Sequence, residues 1–433
     1  MEVGIGIVGL GNVGSGTLEI LTENADQIRE KLGFALRVKA IATRSFANKN
    51  LPKLDPQILQ TANWRDVCCH PEVDVVVEVV GGTGTAAEII ETSLRAGKSV
   101  VTANKELMAV RGSELWNLAN ASGVNLAMEA SVAGGIPIHT VLREGISGDK
   151  VTALFGILNG TSNFILTEIE SKNAAFETVL SEAQRLGYAE ADPTADVDGF
   201  DARSKLAILA ALAFGERLTP SDIYTEGIRR ILPVDFQYAH QLKNTIRLLC
   251  SARQTDQGLL LSVRPSLIPL STILSNVTGA YNAIWVRGYY GADTFYYGRG
   301  AGPRPTGVAV VSDLMRVARE IRYGSPERVS PFAHERLGEY TPLPVTTFQS
   351  AYYLRFRVED RPGIIASLAA CLAKHQISID AVLQLPAENW RDLPFVITTE
   401  PTTEHAVRLA LKEIAEADFL TEPPLSMPME RGF

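Results

Sequence analysis

Five carboxylates and a lysine are concentrated in the stretch "AEADPTADVDGFDARSK", residues 189–205. The acids are Glu190, Asp192, Asp196, Asp198 and Asp201, and the lysine is Lys205. If a helix begins near Asp198, then Asp201 and Lys205 lie four residues apart on one helix face. Carboxylates clustered in this way could bind the ammonium group of a ligand. Lys205 would keep its proton beside them and could donate it to a carbonyl oxygen as a hydride arrives.

The same stretch also has a purely structural interpretation. Asp201 and Lys205 could form an i,i+4 salt bridge, and acids are favourable near a helix N-terminus. These effects account for one or two of the acids. They do not account for an acid-rich loop ahead of "LAILAALAF" (206–214), which is apolar on nearly all sides and predicts a helix that enters a core.

A second motif with chemical meaning is "GLGNVG", in which Gly9, Gly11 and Gly14 match the pattern GxGxxG. It directly follows the strand-like run "VGIGIV" and opens a helical stretch, which is the placement that dinucleotide binding requires. The first glycine permits a tight turn, the second lets a pyrophosphate approach the backbone, and the third lets helix and strand pack closely. The alternative, a merely glycine-rich turn, fits this placement less well.

The residues after the second predicted strand indicate which dinucleotide binds. An NAD enzyme usually places an acid there, which accepts a hydrogen bond from the ribose 2′-hydroxyl. This sequence instead has Thr43, Arg44 and Ser45, and Arg44 could pair with a 2′-phosphate. We therefore predict NADP in preference to NAD. The alternative is that Arg44 is an ordinary solvated surface residue.

Two further polar residues stand at predicted strand ends. Lys105 in "TANKELMA" follows the fourth strand, where open α/β sheets bind ligands, although a surface lysine at a helix start is equally compatible. Glu129 in "MEASVAGGIPI" ends an apolar strand and precedes small, loop-forming residues. Its carboxylate and nearby carbonyls could bind a hard cation, although the residues alone favour a simple ion pair with a lysine or arginine.

The element patterns predict an α/β protein with several folded parts. Short β-branched runs alternate with helical stretches over residues 1–135, which predicts a Rossmann-type, doubly wound parallel sheet; a helix at about 303–325 returns to it. Residues 136–302 predict an α+β domain, and the Pro-rich, charged segment 326–349 predicts a linker. Residues 350–433 predict a separable βαββαβ module.

Composition excludes several other classes of protein. The chain of 433 residues has a net charge of −8 and no long run of Lys and Arg, so nucleic acid is not expected as a partner. No apolar run approaches the length of about 18 residues that a membrane span needs, and "MEVGIGIVGLG" does not resemble a signal peptide. None of the four cysteines forms a CxxC pair. We therefore expect a soluble, cytoplasmic protein without a membrane partner.

The segment "AQRLGYAEADPTADVDGFDARSK" (183–205) resembles the hallmark motif of the homoserine dehydrogenase family. The matching positions are Ala183, Gly187, Tyr188, Asp192, Pro193, Asp196, Val197, Gly199, Asp201 and Lys205. "GLGNVG", "TANKELMA", "EASVAGGIPI", "GILNGTSNFIL" and "GRGAGPRPTG" also occur in family order. The C-terminal stretch "VEDRPGIIASLA" resembles an ACT domain, a regulatory fold that binds amino acids. The resemblance covers the whole chain and indicates the monofunctional type.

This resemblance implies a reversible hydride transfer between NADPH and L-aspartate 4-semialdehyde, which yields L-homoserine for threonine, methionine and isoleucine biosynthesis. Residues 136–302 would bind the substrate and mediate dimerisation. Lys205 would be the acid/base and Lys105 would share or assist that role, and which of them is the principal proton donor stays open. Glu190 and Asp201 would hold the substrate ammonium. The other residues of the substrate site would be Gly160, Thr161, Tyr188 and Asp196.

The resemblance also implies a cofactor site and a cation site. Glu129, with the backbone carbonyls of Val132, Gly134 and Ile136, would bind a monovalent cation, commonly Na⁺. Apart from the three motif glycines, the residues that contact NADP, or NAD in some family members, would be Leu10, Asn12, Val13, Arg44, Thr83, Ala103, Lys105, Gly187 and Gly302.

Regulation and assembly are the last implications. ACT-like modules usually pair, so we expect a homodimer or homotetramer, with L-threonine as the effector of the module. Asp360, Pro362 and Gly363 suit the start of a helix whose free N–H groups could receive a ligand carboxylate. Competing hypotheses are a dehydrogenase for another amino-acid aldehyde or for a hydroxy acid, and a sensing protein that has lost catalysis. Carboxylates that recognise an ammonium argue against plain hydroxy acids, and the intact candidate catalytic residues argue against a non-enzyme.

Overall fold

The computed structural model describes residues 2–44, 46, 54–324, 330–334, 336–340, 342–386 and 391–432. The chain divides into two compact units. The first combines residues 1–154, 204–221 and 282–340, and the second combines residues 155–203, 222–281 and 341–433. Ser45 and the predicted linker residues 326–329, 335 and 341 lie outside the described part of the chain.

The described residues form strands and helices that alternate along most of the chain. The strands are β1 (Glu2–Val8), β2 (Ala35–Ala42), β3 (Leu59–Thr61), β4 (Val75–Glu78), β5 (Ser99–Thr102), β6 (Leu126–Ala127), β7 (Val151–Ile157), β8 (Tyr224–Thr225), β9 (Asn244–Thr255), β10 (Gly258–Pro269), β11 (Tyr281–Gly288), β12 (Asp293–Arg299), β13 (Gln349–Val358), β14 (Ile379–Leu383), β15 (Leu393–Thr399), β16 (Thr402–Thr403) and β17 (Leu425–Met429). The helices are α1 (Asn12–Glu23), α2 (Ala25–Leu32), α3 (Trp64–Cys68), α4 (Thr85–Arg95), α5 (Lys105–Ala121), α6 (Ile138–Thr140), α7 (Gly160–Lys172), α8 (Phe176–Arg185), α9 (Thr194–Val197), α10 (Phe200–Phe214), α11 (Pro233–Gln241), α12 (Pro303–Tyr323), α13 (Ile364–Lys374) and α14 (Glu404–Ile414).

The first unit is built on a six-stranded sheet in the order β3-β2-β1-β4-β5-β6. All of its neighbouring strands are parallel. Strands β4 and β5 are buried along their whole length, as expected when helices cover both faces of a parallel sheet. The predicted Rossmann-type α/β sheet is therefore confirmed. Its strand order reverses between β1 and β4, and the carboxyl ends of strands at such a point form a ligand-binding crevice.

Helix α12 packs onto this sheet although it lies far from it in the chain. Its buried residues Val310 and Leu314 share one apolar core with Ile5 and Ile7 of β1. The approach to α1 is close, because a Cβ at Gly16 would lie 2.2 Å from the carbonyl oxygen of Pro303. A glycine at this point of α1 is therefore what lets the two helices meet.

The second unit contains a mixed sheet in the order β9-β10-β17-β13-β15-β14. Its C-terminal part follows the predicted order of strands and helices, β13-α13-β14-β15-α14-β17, with the short β16 added. Strand β17 lies between β10, to which it is parallel, and β13, to which it is antiparallel. Arg264 of β10 and Glu404 of α14 form a buried ion pair of 2.7 Å. Strand β17 thereby connects the C-terminal module to the sheet of the rest of its unit.

Two global observations bear on the function classes. No helix in the described part of the chain combines the length and hydropathy that a membrane crossing needs. All four cysteines are free thiols.

Candidate active site

The turn between β1 and α1 explains each glycine of the GxGxxG motif. Gly9 has a φ of 106°, a left-handed conformation that favours glycine. A Cβ at Gly14 would lie 2.1 Å from the carbonyl oxygen of Gly9, which would prevent this packing of helix on turn. A Cβ at Gly11 would meet no atom within 4 Å, so the backbone there is open to a ligand. The turn can therefore receive a pyrophosphate at the N-terminus of α1.

A cleft of about 560 Å³ lies beside this turn. Its lining residues are Val8, Gly9, Leu10, Gly11, Ala42, Thr43, Arg44, Ala62, Trp64, Val79, Val80, Thr85 and Ile89. None of these described residues is acidic, and the exposed Arg44 follows the end of β2. The cleft therefore offers a cation rather than a carboxylate where the adenosine ribose is expected.

A buried carboxylate that the sequence analysis did not single out organises the loops beside this cleft. Glu78, the last residue of β4, accepts hydrogen bonds from the N–H groups of Val80 (2.8 Å) and Gly81 (3.2 Å). Its second oxygen accepts a hydrogen bond of 2.6 Å from the hydroxyl of Thr102, the last residue of β5. The carboxyl ends of two neighbouring strands are thereby tied together.

Asn104 continues this network from the β5 side. Its backbone N–H donates to the Thr102 hydroxyl oxygen (3.0 Å), and its side-chain amide donates to the carbonyl of Gly82 (2.7 Å). Its side-chain oxygen accepts from the N–H of Leu107 (3.1 Å) and so caps α5. Lys105 is the first residue of that helix, and its position therefore depends on these bonds.

Glu129 is 4% exposed, and three hydrogen bonds compensate its carboxylate. One oxygen accepts from the N–H of His139 (2.9 Å), and the other accepts from the N–H (2.8 Å) and the hydroxyl (2.6 Å) of Thr140. The N–H of Glu129 itself donates to Asp313 (2.8 Å). Donors from α6 and an acid of α12 thus hold this residue, and no local sequence pattern predicts either contact.

The loop after Glu129 carries the other predicted cation ligands, Val132, Gly134 and Ile136. Ala133 and Gly134 have φ angles of 57° and 50°, so two consecutive left-handed residues coil the backbone here. Backbone carbonyls beside a buried carboxylate are the kind of ligands that hard cations prefer. The residues present therefore fit such an ion.

His139 lies next to this loop and is 1% exposed. Neither ring nitrogen has a hydrogen-bond partner among the described residues. Burial lowers the pKa of His139 to about 3, and the charge of Arg143 lowers it further while that of Asp313 opposes the shift. The imidazole is therefore neutral at physiological pH.

In the second unit, one buried asparagine joins two of the predicted substrate-site acids. Asn159 caps α7 by accepting from the N–H of Ser162 (2.7 Å). Its side-chain amide donates to Asp196 (2.6 Å) and to Asp201 (2.8 Å). These two acids stand on different helices, α9 and α10, so their proximity is a product of the fold. Asn159 lies within the motif "GILNGTSNFIL", and no local sequence pattern predicts its contacts with the two acids.

Three other predicted substrate-site residues lie close to this asparagine. Gly160 and Thr161 follow it in the chain, and Tyr188 is joined to Thr161 by a hydrogen bond. Gly160 begins α7, and a Cβ there would lie 2.9 Å from the carbonyl oxygen of Ala280. The hydroxyl of Thr161 donates to the backbone carbonyl of Tyr188 (2.7 Å), whose ring packs on Phe164 at 4.7 Å between centroids. The structure thus brings together four of the predicted substrate-site residues besides Asp201.

The five acids of the opening stretch do not form one group. Asp198 is paired with Arg229 at 2.6 Å, and Asp192 accepts from the N–H of Thr194 (3.1 Å). Glu190 is exposed, and its backbone carbonyl accepts from Gln184 (3.0 Å). The side chains of Asp192 and Asp198 therefore have partners within the fold, and these contacts differ from the i,i+4 pair that the structural interpretation proposed.

Asp201 and Lys205 stand one turn apart on α10, which begins at Phe200, close to the predicted start near Asp198. Asp201 is 8% exposed and Lys205 is 9% exposed. Charged side chains are rarely so well buried without specific partners or a ligand-binding role.

The C-terminal module has a cleft of about 320 Å³ at the start of α13. Its lining residues are Val358, Asp360, Arg361, Pro362, Gly363, Ile364, Ile365, Ala366, Gln384, Leu393 and Phe395. Gly363 precedes the helix with a φ of 97°, and a Cβ there would meet no atom within 4 Å. The cleft therefore contains the first N–H groups of α13 and the carboxylate of Asp360. These two features suit the carboxylate and the ammonium of an amino acid.

The remaining predicted nucleotide-contact residues lie on several loops and helix starts. Asn12 and Val13 begin α1, Thr83 lies in the exposed loop between β4 and α4, and Ala103 lies between β5 and α5. Gly302 immediately precedes α12 and has a φ of 124°. Gly187 follows α8, in the second unit, with a φ of 78°.

Comparison with known proteins identifies the family. Residues 9–129 match the NAD-binding domain of homoserine dehydrogenase, residues 137–315 match homoserine dehydrogenase, and residues 352–416 match the ACT domain. The homoserine dehydrogenase of Pseudomonas aeruginosa is 42% identical over 433 residues and covers 99% of both chains. That of Neisseria gonorrhoeae is 40% identical over 430 residues, with 99% of this chain and 98% of the relative covered.

Solved structures agree with this assignment. The crystal structure of a homoserine dehydrogenase from Thiobacillus denitrificans has a TM-score of 0.92 to this chain, with 42% identity and coverage of 99% and 98% of the two chains. A hyperthermophilic archaeal homoserine dehydrogenase in complex with NADPH has a TM-score of 0.61 and 26% identity, over 73% of this chain and 98% of that one. The chain therefore belongs to the homoserine dehydrogenase family of NAD(P)-dependent oxidoreductases, with a C-terminal regulatory ACT domain.

Proposed function

We propose that this chain transfers hydride reversibly between NADPH and L-aspartate 4-semialdehyde to give L-homoserine, within threonine, methionine and isoleucine biosynthesis. The observation that carries the proposal is the side-chain amide of Asn159, which donates to Asp196 and to Asp201. Asp201 stands one helical turn before Lys205 on α10. Asn159 thereby holds both carboxylates in place, and carboxylate oxygens are the acceptors that the ammonium of an amino-acid substrate requires.

The chemistry divides between the cofactor and the chain. Bound NADPH supplies the hydride. Lys205 donates a proton to the aldehyde oxygen in the direction of homoserine and accepts it in reverse, and Lys105 assists. Glu190 and Asp201 hold the substrate ammonium. Gly160, Thr161, Tyr188 and Asp196 complete the substrate site.

The cofactor is NADP in preference to NAD. The support is the cation Arg44 after β2 and the absence of an acid among the described residues that line the nucleotide cleft. The motif glycines and the loops that Glu78 and Asn104 hold would contact the cofactor. The solved NADPH complex of an archaeal relative is consistent with this choice.

A monovalent cation, Na⁺, is proposed at Glu129 with the carbonyls of Val132, Gly134 and Ile136. Such an ion would fix the loop that these residues form. The support is the coiled, left-handed backbone at Ala133 and Gly134 beside a buried carboxylate.

The effector proposed for the ACT domain is L-threonine, bound in the cleft at the start of α13. Its carboxylate would face the first N–H groups of the helix, and its ammonium would face Asp360. A homodimer or homotetramer is proposed, because ACT-like modules usually pair. A cytoplasmic location is proposed from the four free thiols and from the biosynthetic role.

The test is a spectrophotometric assay of the purified chain with aspartate semialdehyde and either NADPH or NADH. We expect substrate-dependent oxidation, faster with NADPH, and inhibition by threonine. Arg44→Asp should shift the preference toward NADH. The function is refuted if neither cofactor is oxidised in a substrate-dependent way, and the cofactor assignment is refuted by a wild type that uses both equally.

A further inference from the structure

Three side chains of metal-binding type meet between the two helices of the ACT domain. Cys371 and His375 stand four residues apart at the C-terminal end of α13, and Glu413 stands near the end of α14. One ligand atom from each, the Sγ, a ring nitrogen and a carboxylate oxygen, lies within 4.8 Å of the other two. The Nε2 of His375 is 3.0 Å from the Glu413 carboxylate.

We propose that Cys371, His375 and Glu413 form a site for Zn²⁺ or a similar divalent transition metal. A thiolate, an imidazole and a carboxylate are the protein ligands of Zn²⁺, and in a tetrahedral site such atoms lie roughly 3.5 Å apart, given Zn–S and Zn–N bonds of about 2.3 and 2.0 Å. Metal binding would require side-chain rotations that bring the three atoms from within 4.8 Å of one another to that distance. A water or another ligand takes the fourth position, and the Cys371 thiol releases its proton on binding.

The ammonium of Lys374 is the local competitor for this ion. It lies 2.8 Å from both oxygens of Glu413. The Lys374 side chain is 65% exposed, so it can withdraw into solvent when a divalent ion replaces it. Ion access is open, because Cys371, Lys374 and Glu413 line a surface cavity of about 410 Å³.

A metal here would fasten α13 to α14. The thiol of Cys371 already points at α14, where its Sγ lies 3.7 Å from the carbonyl oxygen of Ala410, one turn before Glu413. Since α13 begins in the effector cleft and ends at the proposed metal site, the ion would restrain the helix that the effector must contact.

The test uses the full-length protein and Co²⁺, whose bond to a thiolate gives a charge-transfer absorption band in the near ultraviolet. We expect one Co²⁺ per chain, displaced by Zn²⁺. Cys371→Ser should abolish the band, and His375→Gln should weaken binding at least tenfold. Cys69→Ser is the matched control, because it removes an exposed thiol elsewhere and should leave the band unchanged.

Lys374→Gln separates a metal site from an ordinary surface ion cluster. Removal of the competing ammonium should tighten Co²⁺ and Zn²⁺ binding several-fold if the proposal holds. The proposal is overturned if neither the wild type nor Lys374→Gln shows the band, or if the band persists in Cys371→Ser. It is also overturned if Lys374→Gln binds the ions no more tightly than the wild type.

Discussion

At the residue scale, the candidate proton donor is set apart by its burial. Lys205 is 9% exposed and stands on α10, whereas Lys172 at the end of α7 is a half-exposed lysine paired with surface acids. We expect Lys205→Ala to lower kcat by about 10²–10⁴-fold, the usual loss when a positioned acid or base is removed. NADPH binding, followed by fluorescence titration, should persist. Lys172→Ala is the control, and a Lys205→Ala enzyme with more than half its activity would remove this residue from the mechanism.

The buried imidazole of His139 makes the stability of the protein depend on pH. Its pKa in the folded protein is about 3, below the ordinary value of about 6.5, so the unfolded chain binds more protons between these limits. The contribution of this residue is therefore complete above about pH 6.5 and is lost as the pH falls toward 3. The slope from one such proton approaches about 1.4 kcal/mol per pH unit.

We expect His139→Leu to remove this dependence. The free energy of unfolding should be measured with urea from neutral pH to about pH 5. It should fall more steeply with decreasing pH in the wild type than in the variant, and the two slopes should differ by up to about 1.4 kcal/mol per pH unit. Parallel pH dependences of the two proteins would show that His139 does not titrate in this way. All samples should contain the same Na⁺ concentration, because Glu129 accepts from the His139 N–H.

At the scale of elements, Glu78 fastens the end of β4 to the end of β5. Glu78→Ala would leave three donors without their acceptor, and of these the Thr102 hydroxyl is buried, where an unsatisfied group costs about 1–3 kcal/mol. We expect a clear loss of stability and an increase in KM for NADPH of about tenfold or more, because the loops beside the nucleotide cleft lose their support. Glu78→Gln keeps one acceptor oxygen, so its stability and its KM for NADPH should lie between those of Glu78→Ala and those of the wild type.

The control for this experiment is Glu72→Ala, which removes an exposed acid that pairs only at the surface with Lys39. Equal KM values for NADPH in Glu78→Ala and the wild type would show that the network serves stability alone. Comparison of KM for NADPH with the midpoint of urea unfolding separates a role in cofactor binding from a role in stability. A carboxylate with a merely structural role would change only the unfolding midpoint.

Elements with regular patterns were predictable, and elements without them were not. Strand β4 begins with three consecutive valines before Glu78, and β10 is rich in leucine, so the local pattern predicts a strand at both places. Strand β9 was missed, because "NTIRLLCSARQT" mixes polar and apolar residues although most of it is buried. Its Arg247 is buried through an ion pair with Glu170 (2.9 Å) and hydrogen bonds to backbone carbonyls, which no local pattern reveals.

At the scale of the whole molecule, the ACT domain is part of a larger compact unit. Strand β17 pairs with β10, so truncation of the chain near residue 345 would remove a neighbouring strand from β10. Such a truncated chain is therefore a poor test of effector binding. A point variant is better. We expect Asp360→Ala to weaken threonine binding, measured by calorimetry, by about 10- to 100-fold, since hydrogen bonds to charged groups contribute about 1.5–3 kcal/mol.

The matched control is Glu400→Ala, which removes an exposed acid of the same domain outside the cleft. It should bind threonine as the wild type does. Heat of binding that is unchanged in Asp360→Ala would exclude this aspartate from the effector site, and absence of heat from the wild type would exclude threonine as the effector.

The sequence by itself determined the family, the Rossmann-type sheet, the glycine turn and the order of elements in the ACT domain, because these depend on local periodicity and on motifs that are contiguous in the chain. It also identified the acids around Lys205, but not which of them have other partners. The tertiary structure decided which partners these acids have. Asp198 forms an ion pair with Arg229, and the side-chain amide of Asn159 donates hydrogen bonds to Asp196 and Asp201. A buried polar group must be compensated by whatever donors the fold brings to it, and those donors lie far away in sequence.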